Sequence, residues 1–248
     1  MDMNDSNSLR YSIVVPVFNE ADNIAAFCSK AVAELPSNFE LLICYDFDAD
    51  NTLPALAAIG ADRKPPNTRL VKNDLGRGVR YAIDAGMRAA SAPVVVVMMA
   101  DLSDDFPKVE AMVRGCEEGA QIVCASRYMK GGKQMGGPWV KGMLSRMAGV
   151  TLHYLTGLPT HDPTNSFKAY RREFLRQTPI ESTAGFCLAM ELTVKAYARG
   201  GQVEEVPATW YDRVAGKSNF KLMAWLPKYL RWYAYGIRHT WFGGCCKS

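Results

Sequence analysis

The stretch Val94-Val95-Val96-Val97-Met98-Met99-Ala100-Asp101-Leu102-Ser103-Asp104-Asp105-Phe106-Pro107 decides the fold. Four consecutive β-branched residues predict a strand buried on both faces, as in the middle of a parallel sheet. The run then breaks into Asp101, Ser103, Asp104 and Asp105. In open α/β sheets ligands bind beyond the carboxyl ends of the strands, so these acids face a ligand crevice. Oxygen donors on a short turn suit Mg²⁺ or Mn²⁺ carrying a diphosphate. The same acids also suit a helix cap, a role that Asp104, Asp105 and Pro107 fit well.

Working outward, apolar runs at Tyr11 to Val17, Phe39 to Tyr45, Thr68 to Lys72 and Gln121 to Ala125 predict further strands. They alternate with helical patterns at Asp22 to Leu35, Thr52 to Ile59, the segment ending at Ala90, and Pro107 to Glu118. Such alternation specifies an α/β fold, a mostly parallel sheet with helices on both faces. Tyr128 to Pro138 reads as a Gly- and Lys-rich mobile loop. Trp139 to Leu155 and Phe186 to Arg199 read as helices, and Val203 to Tyr211 as one strand. Asn73-Asp74-Leu75-Gly76-Arg77-Gly78 is not a dinucleotide fingerprint, and it follows a late strand, which argues against a nicotinamide enzyme.

The chain has 248 residues, 48% hydrophobic and 22% charged, with a net charge of +4. That is ample for one sizeable domain and too mild a charge to indicate nucleic acid as a partner. Seven cysteines at scattered spacings indicate neither a disulfide framework nor a zinc site, and a reducing, cytoplasmic setting fits. The polar start, 1–10, lacks the apolar core of a secretory signal and is expected to be flexible. No run reaches the roughly 18 apolar residues of a membrane span. The organisation expected is a catalytic domain at 11–221 followed by an amphipathic segment at 222–248. In that segment Lys228, Arg231 and Arg238 fall on one helical face among Tyr229, Trp232, Tyr233 and Trp241. This pattern suits a helix lying on a membrane surface, and equally one packed on the domain.

Several motifs then occur in a telling order. Val15-Pro16-Val17-Phe18-Asn19-Glu20 resembles P-x-[YF]-N-E, and Asp46-Phe47-Asp48-Ala49-Asp50-Asn51-Thr52 resembles D-x-S-x-D-G-T. Met99-Ala100-Asp101-Leu102-Ser103 stands where D-A-D-L-S would be written. Ala125-Ser126-Arg127-Tyr128, the set Asp162, Ser166, Phe167, Tyr170 and Arg171, Gly185-Phe186 with Glu191, Glu205-Val206-Pro207, and Asp212-Arg213 with Gly216-Lys217-Ser218 complete the series. Together, over about Tyr11 to Leu222, they resemble the family 2 glycosyltransferases of GT-A (Rossmann-like) fold, and within them the polyprenyl-phosphate enzymes of the dolichyl-phosphate mannose synthase type.

The resemblance implies roles. Pro16, Phe18, Glu20, Cys44, Asp46, Met99 and Ala100 would hold the nucleotide-sugar donor, with Asp101, Ser103 and Arg213. Asp101 and Ser103 would bind Mg²⁺ or Mn²⁺. Arg127, Lys141, Ser145, Lys217 and Ser218 would receive the phosphate of a polyprenyl or dolichyl acceptor. Asp101, Arg127 and Arg213 would carry the chemistry, with the loop at Arg213 closing as a lid. The expected reaction is inverting transfer of a sugar. Mannose from a GDP donor is favoured, and glucose or another hexose from a UDP donor comes next. It implies a peripheral enzyme on the cytoplasmic face of a membrane, with room for a membrane partner subunit or a homo-oligomer.

Residue chemistry supports this independently. A phosphate monoester, with a second pKa near ~6, is already a nucleophile at neutral pH and needs cations rather than a general base. Three residues depart from the pattern. Met99 replaces the first acid, with Asp104 and Asp105 near enough to compensate, Asn219 stands where a Lys is usual, and Tyr45 replaces an Asp. Two alternatives follow. A transferase acting on a sugar or polysaccharide hydroxyl would need a base, for which Glu191 is the candidate. A non-catalytic sugar-nucleotide-binding subunit is motivated by Met99.

Overall fold

The computed structural model describes residues 8–36, 38–183, 185–212 and 222–242. Its first half alternates as the apolar runs dictate: β1 (Tyr11–Pro16), α1 (Ala21–Glu34), β2 (Phe39–Tyr45), α2 (Thr52–Ala57), β3 (Thr68–Lys72), α3 (Val79–Ala89), β4 (Val94–Val97), α4 (Lys108–Glu117) and β5 (Ile122–Ser126). Then follow β6 (Lys133–Met135), α5 (Trp139–Thr156), β7 (Lys168–Arg171), α6 (Arg172–Gln177), α7 (Cys187–Ala198), β8 (Val203–Pro207), β9 (Thr209–Tyr211) and α8 (Leu222–Phe242). A seven-stranded sheet runs β3-β2-β1-β4-β7-β5-β8, and β6 pairs with β9 in a separate ribbon.

All four valines of β4 are buried, as a central strand requires. Val94 and Val96 join a core under α1 and α4, while Val95 and Val97 join one under α3 and α7. Gly86 of α3 permits the second contact, because a Cβ there would lie 2.4 Å from Val14 Cγ1 and 2.6 Å from Cys44 Sγ.

One strand is added and two expectations are corrected. The Lys168–Arg171 segment, unassigned from sequence, is an interior strand antiparallel to both β4 and β5. Its direction matters, since its leading residues, 162–167, therefore lie at the edge where the parallel strands end. The expected loop from Tyr128 to Pro138 contains β6, held in parallel register by β9. The expected single strand from Val203 to Tyr211 divides at Ala208, whose N–H still donates to Ser126 O (3.0 Å) before the chain crosses to β6.

Helix α8 packs on α5 and α7 through Trp232, which is 2% exposed and joins Leu152, Met190 and Val194. The Trp232 indole N–H donates to Ser182 Oγ (2.8 Å), and Arg231 pairs with Glu181 (2.7 Å). No helix among the described residues is long and apolar enough to cross a membrane.

Candidate active site

Strands β2, β1 and β4 are neighbours, so the residues after their carboxyl ends form one rim. The turn after β1 is tied to the turn after β2. Asn19, at a left-handed φ of 56°, donates its N–H to both Asp50 oxygens (3.1 Å each), and Glu20 N–H donates to Thr52 Oγ1 (2.9 Å). These bonds leave Phe18 54% exposed, edge-on to Phe47 with centroids 5.6 Å apart. Asp46 in turn holds the β3–α3 turn, accepting from Gly78 N–H and Asn73 Nδ2 at 2.7 Å. Phe18, Glu20 and Asp46 thus share the rim where a nucleotide was expected. Pro16, the buried last residue of β1, is corrected as a rim residue, and so is its register partner Cys44. Its thiol is fully buried against α3, burial pushes its pKa above the usual thiol range, and its carbonyl accepts Val17 N–H (2.9 Å). A one-residue offset along a strand sends a side chain to the opposite face.

Beyond β4 the chain turns through Leu102, a branched residue held at φ 61°, a conformation that needs outside support. Asp101 Oδ1 accepts Ser103 N–H (3.2 Å), and both residues are buried. Asp104 points inward and accepts Met99 N–H (2.8 Å), and burial pushes its carboxyl up to about 8. Asp105 points outward and accepts Thr209 N–H (2.9 Å). Neither caps α4, whose first turn has no side-chain cap, so the expected capping role is corrected: both acids brace the turn. Met99 packs its side chain on the core beneath α3 and α7. Ala100 is buried beside it.

Among the described residues no group of three or more acidic, His or Cys side chains could cage a metal. A hard divalent ion bound to a diphosphate needs only one or two protein carboxylates, its other ligands being phosphate oxygens and water. Asp101, an oxygen donor at the strand end next to Ser103, fits that requirement.

Farther along the same sheet edge, beyond β7, Arg127 follows β5. Its Nε and Nη2 grip Asp162 at 2.7 and 3.0 Å, its N–H donates to the same carboxylate, and Nη2 also donates to Ser145 Oγ of α5 (3.1 Å). Burial works against both charges, but each holds the other ionised. The pKa of Asp162 is lowered and that of Arg127 raised. Buried Lys168 donates to Asp162 O (3.0 Å), and Thr164 Oγ1 lies 2.7 Å from Ser145 Oγ. Gly149 lets α5 approach this loop, since a Cβ there would be 2.1 Å from His161 O.

The structure thus brings Arg127 and Ser145 together as expected, and Lys141 lies on the same helix. Arg213, Lys217, Ser218 and Asn219 lie outside the described residues. Asp162 carries a larger part of the wall than its motif signalled. His161 and Glu205 were missed as a pair: Glu205 accepts both the His161 N–H (2.8 Å) and its ring Nδ1–H (2.6 Å), while the ring stacks on His153 at 4.0 Å. Only the E-V-P motif hinted at Glu205. Glu191 is corrected as a candidate base. It is fully buried and accepts from Glu181 N–H, Ser182 N–H and Lys195 Nζ at 2.6 to 2.8 Å.

The model of glycosyl transferase family 2 matches residues 12–178. The chain belongs to glycosyltransferase family 2. This transferase is 30% identical over 214 residues to polyprenol monophosphomannose synthase of Mycolicibacterium smegmatis, covering 84% of the chain and 80% of that protein. It is 28% identical to dolichol-phosphate mannosyltransferase of Pyrococcus furiosus, over 86% of the chain and 60% of the relative. Glucosyl-3-phosphoglycerate synthase of Mycobacterium tuberculosis, at 18% identity, superposes with a TM-score of 0.67 over 94% of this chain and 81% of that one. The same enzyme bound to Mn²⁺, UDP-glucose and phosphoglyceric acid gives 0.66. The transferase therefore has the GT-A fold.

Proposed function

We propose that this transferase moves a sugar, mannose in first place, from a nucleotide donor to a polyprenyl phosphate with inversion at the anomeric carbon. The observation that carries the reading is the kind of group opposite the donor rim. A cation, Arg127, stands there with Ser145, and the one carboxylate expected to act as a base, Glu191, is committed to backbone N–H groups and Lys195. A sugar hydroxyl would need a base, whereas a phosphate monoester brings its own negative charge and needs only placement and charge balance. In the proposed reaction an acceptor phosphate oxygen bonds to the anomeric carbon as the bond to the donor diphosphate breaks. Phe18, Glu20 and Asp46 position the nucleoside. Asp101, with Ser103, would hold Mg²⁺ or Mn²⁺, which supplies positive charge to the departing diphosphate.

The two relatives named for polyprenol and dolichol phosphate support the acceptor class, and their printed names support mannose. The outer face of α5 supports a membrane setting. Trp139, Met143, Met147 and Tyr154 are 43% to 77% exposed there, and neither α5 nor α8 contains an Asp or Glu. An apolar, aromatic and basic surface suits an anionic bilayer. The proposed location is peripheral, on the cytoplasmic face.

The test is incubation with labelled nucleotide-sugars, Mg²⁺ or Mn²⁺ and polyprenyl phosphate, the lipid product being read by mass spectrometry. A mannosyl-lipid from the GDP donor is the expected outcome. Transfer to a free sugar with none to the lipid would overturn the proposal.

A further inference from the structure

The bracing of the metal turn extends to the opposite side of the crevice. Strand β9 is held on two sides. On one, it pairs with β6, and Asp212 N–H donates to Met135 O (2.9 Å). On the other, where a third strand would lie, its N–H groups meet the 103–105 turn instead. Thr209 N–H donates to Asp105 Oδ2 (2.9 Å) and Tyr211 N–H to Ser103 O (3.0 Å). From β6 the path continues, since Gln134 Oε1 accepts from the Tyr128 hydroxyl (3.2 Å) and that hydroxyl also lies 3.3 Å from Gly142 O of α5. The Arg127 guanidinium lies over the Tyr128 ring at 4.7 Å.

We propose that Asp105 is a positioning residue, which locks the Asp101–Ser103 turn to β9 and through it to the β6, Tyr128 and α5 side of the crevice. This rests on the reading of that turn as the donor's and of Arg127 as the acceptor's. A side-chain acceptor does here what a neighbouring strand does elsewhere, satisfying a backbone N–H that would otherwise lose its partner. The gap between donor and acceptor sites is then fixed by hydrogen bonds and does not depend on loop packing. Displacement transfer between two anions is sensitive to such alignment.

The experiment compares Asp105→Ala with Asp105→Asn. Asn keeps an oxygen for Thr209 N–H and removes the charge. Without substrate, hydrogen exchange in peptides covering 209–212 should speed by about tenfold or more in Asp105→Ala and by less than about threefold in Asp105→Asn. In sugar transfer, kcat should fall about 10- to 100-fold in Asp105→Ala with donor KM within about threefold, and Asp105→Asn should recover most of it. Equal damage by Ala and Asn would overturn the proposal, because charge would then be what matters. So would a loss confined to donor KM or Mn²⁺ half-saturation, which would make Asp105 part of the metal site. Wild-type protein that transfers nothing to polyprenyl phosphate would refute the function instead. The exchange arm judges the tie in either case, and unchanged exchange in Asp105→Ala would refute it.

Discussion

Along the rim proposed for the donor, backbone N–H groups are held by side chains of the turns, Asn19 by Asp50 and Gly78 by Asp46 of an adjoining turn, Met99 by Asp104 of its own. Along the wall proposed for the acceptor the main ties run between side chains, the ion pair of Arg127 with Asp162 and the Ser145 hydroxyl between Arg127 and Thr164. Rim ties shape loops and leave the residues between them exposed to a ligand, as with Phe18. Wall ties hold a charge in a buried place. The rim should therefore fail in function before it fails in stability, and the wall should fail in both.

The largest expected effect is on the wall. Asp162→Ala leaves the Arg127 guanidinium buried without its partner, which should cost about 3–5 kcal/mol in denaturant unfolding. A loss below about 1 kcal/mol would show the wall to be no more than a surface pair. The same pair sets an acid limit. Because the folded pKa of Asp162 lies below its ordinary 3.8, its stabilisation is fully present above that value and is lost as pH falls through the folded pKa. Wild-type stability should drop more steeply below about pH 4 than that of Asp162→Asn.

On the rim, Asp101→Ala should lower kcat by about 10²–10³-fold, near 3–4 kcal/mol, with the thermal midpoint unchanged. Retained activity would remove Asp101 from the chemistry. Gly149→Ala tests whether the approach of α5 belongs to the wall. Its methyl would meet His161 O, so about 1–3 kcal/mol of stability should be lost, with acceptor KM raised and donor KM unchanged. The smallest effect is expected from Ser145→Ala, a rise of about two- to tenfold in acceptor KM. An equal rise in donor KM would erase the distinction between the two sides.

The rim was largely legible in the sequence because each of its parts is local. An apolar strand ends, acids or Phe18 follow, and the end of a parallel strand is where a ligand meets them. Even there, Cys44 was misplaced, since only strand register decides which face a residue takes. Asp104 and Asp105 looked like caps because their partners, Met99 N–H and Thr209 N–H, are backbone groups with no signature in residue type. The wall was harder to read. Arg127 and Asp162 are 35 residues apart and His161 and Glu205 are 44 apart, so no spacing rule connects them.

By itself the sequence determined the alternating α/β architecture, the crevice edge and the placing of Asp101, because periodicity and strand ends are properties of short segments. Tertiary structure alone decided that β7 enters the sheet antiparallel and delivers Asp162 to Arg127. It also decided that α8 buries Trp232 while α5 keeps its apolar face outward, and that Asp105 holds β9. Each of these is a pairing between distant segments, settled by which buried charges and backbone N–H groups must find partners once the sheet has closed around β4.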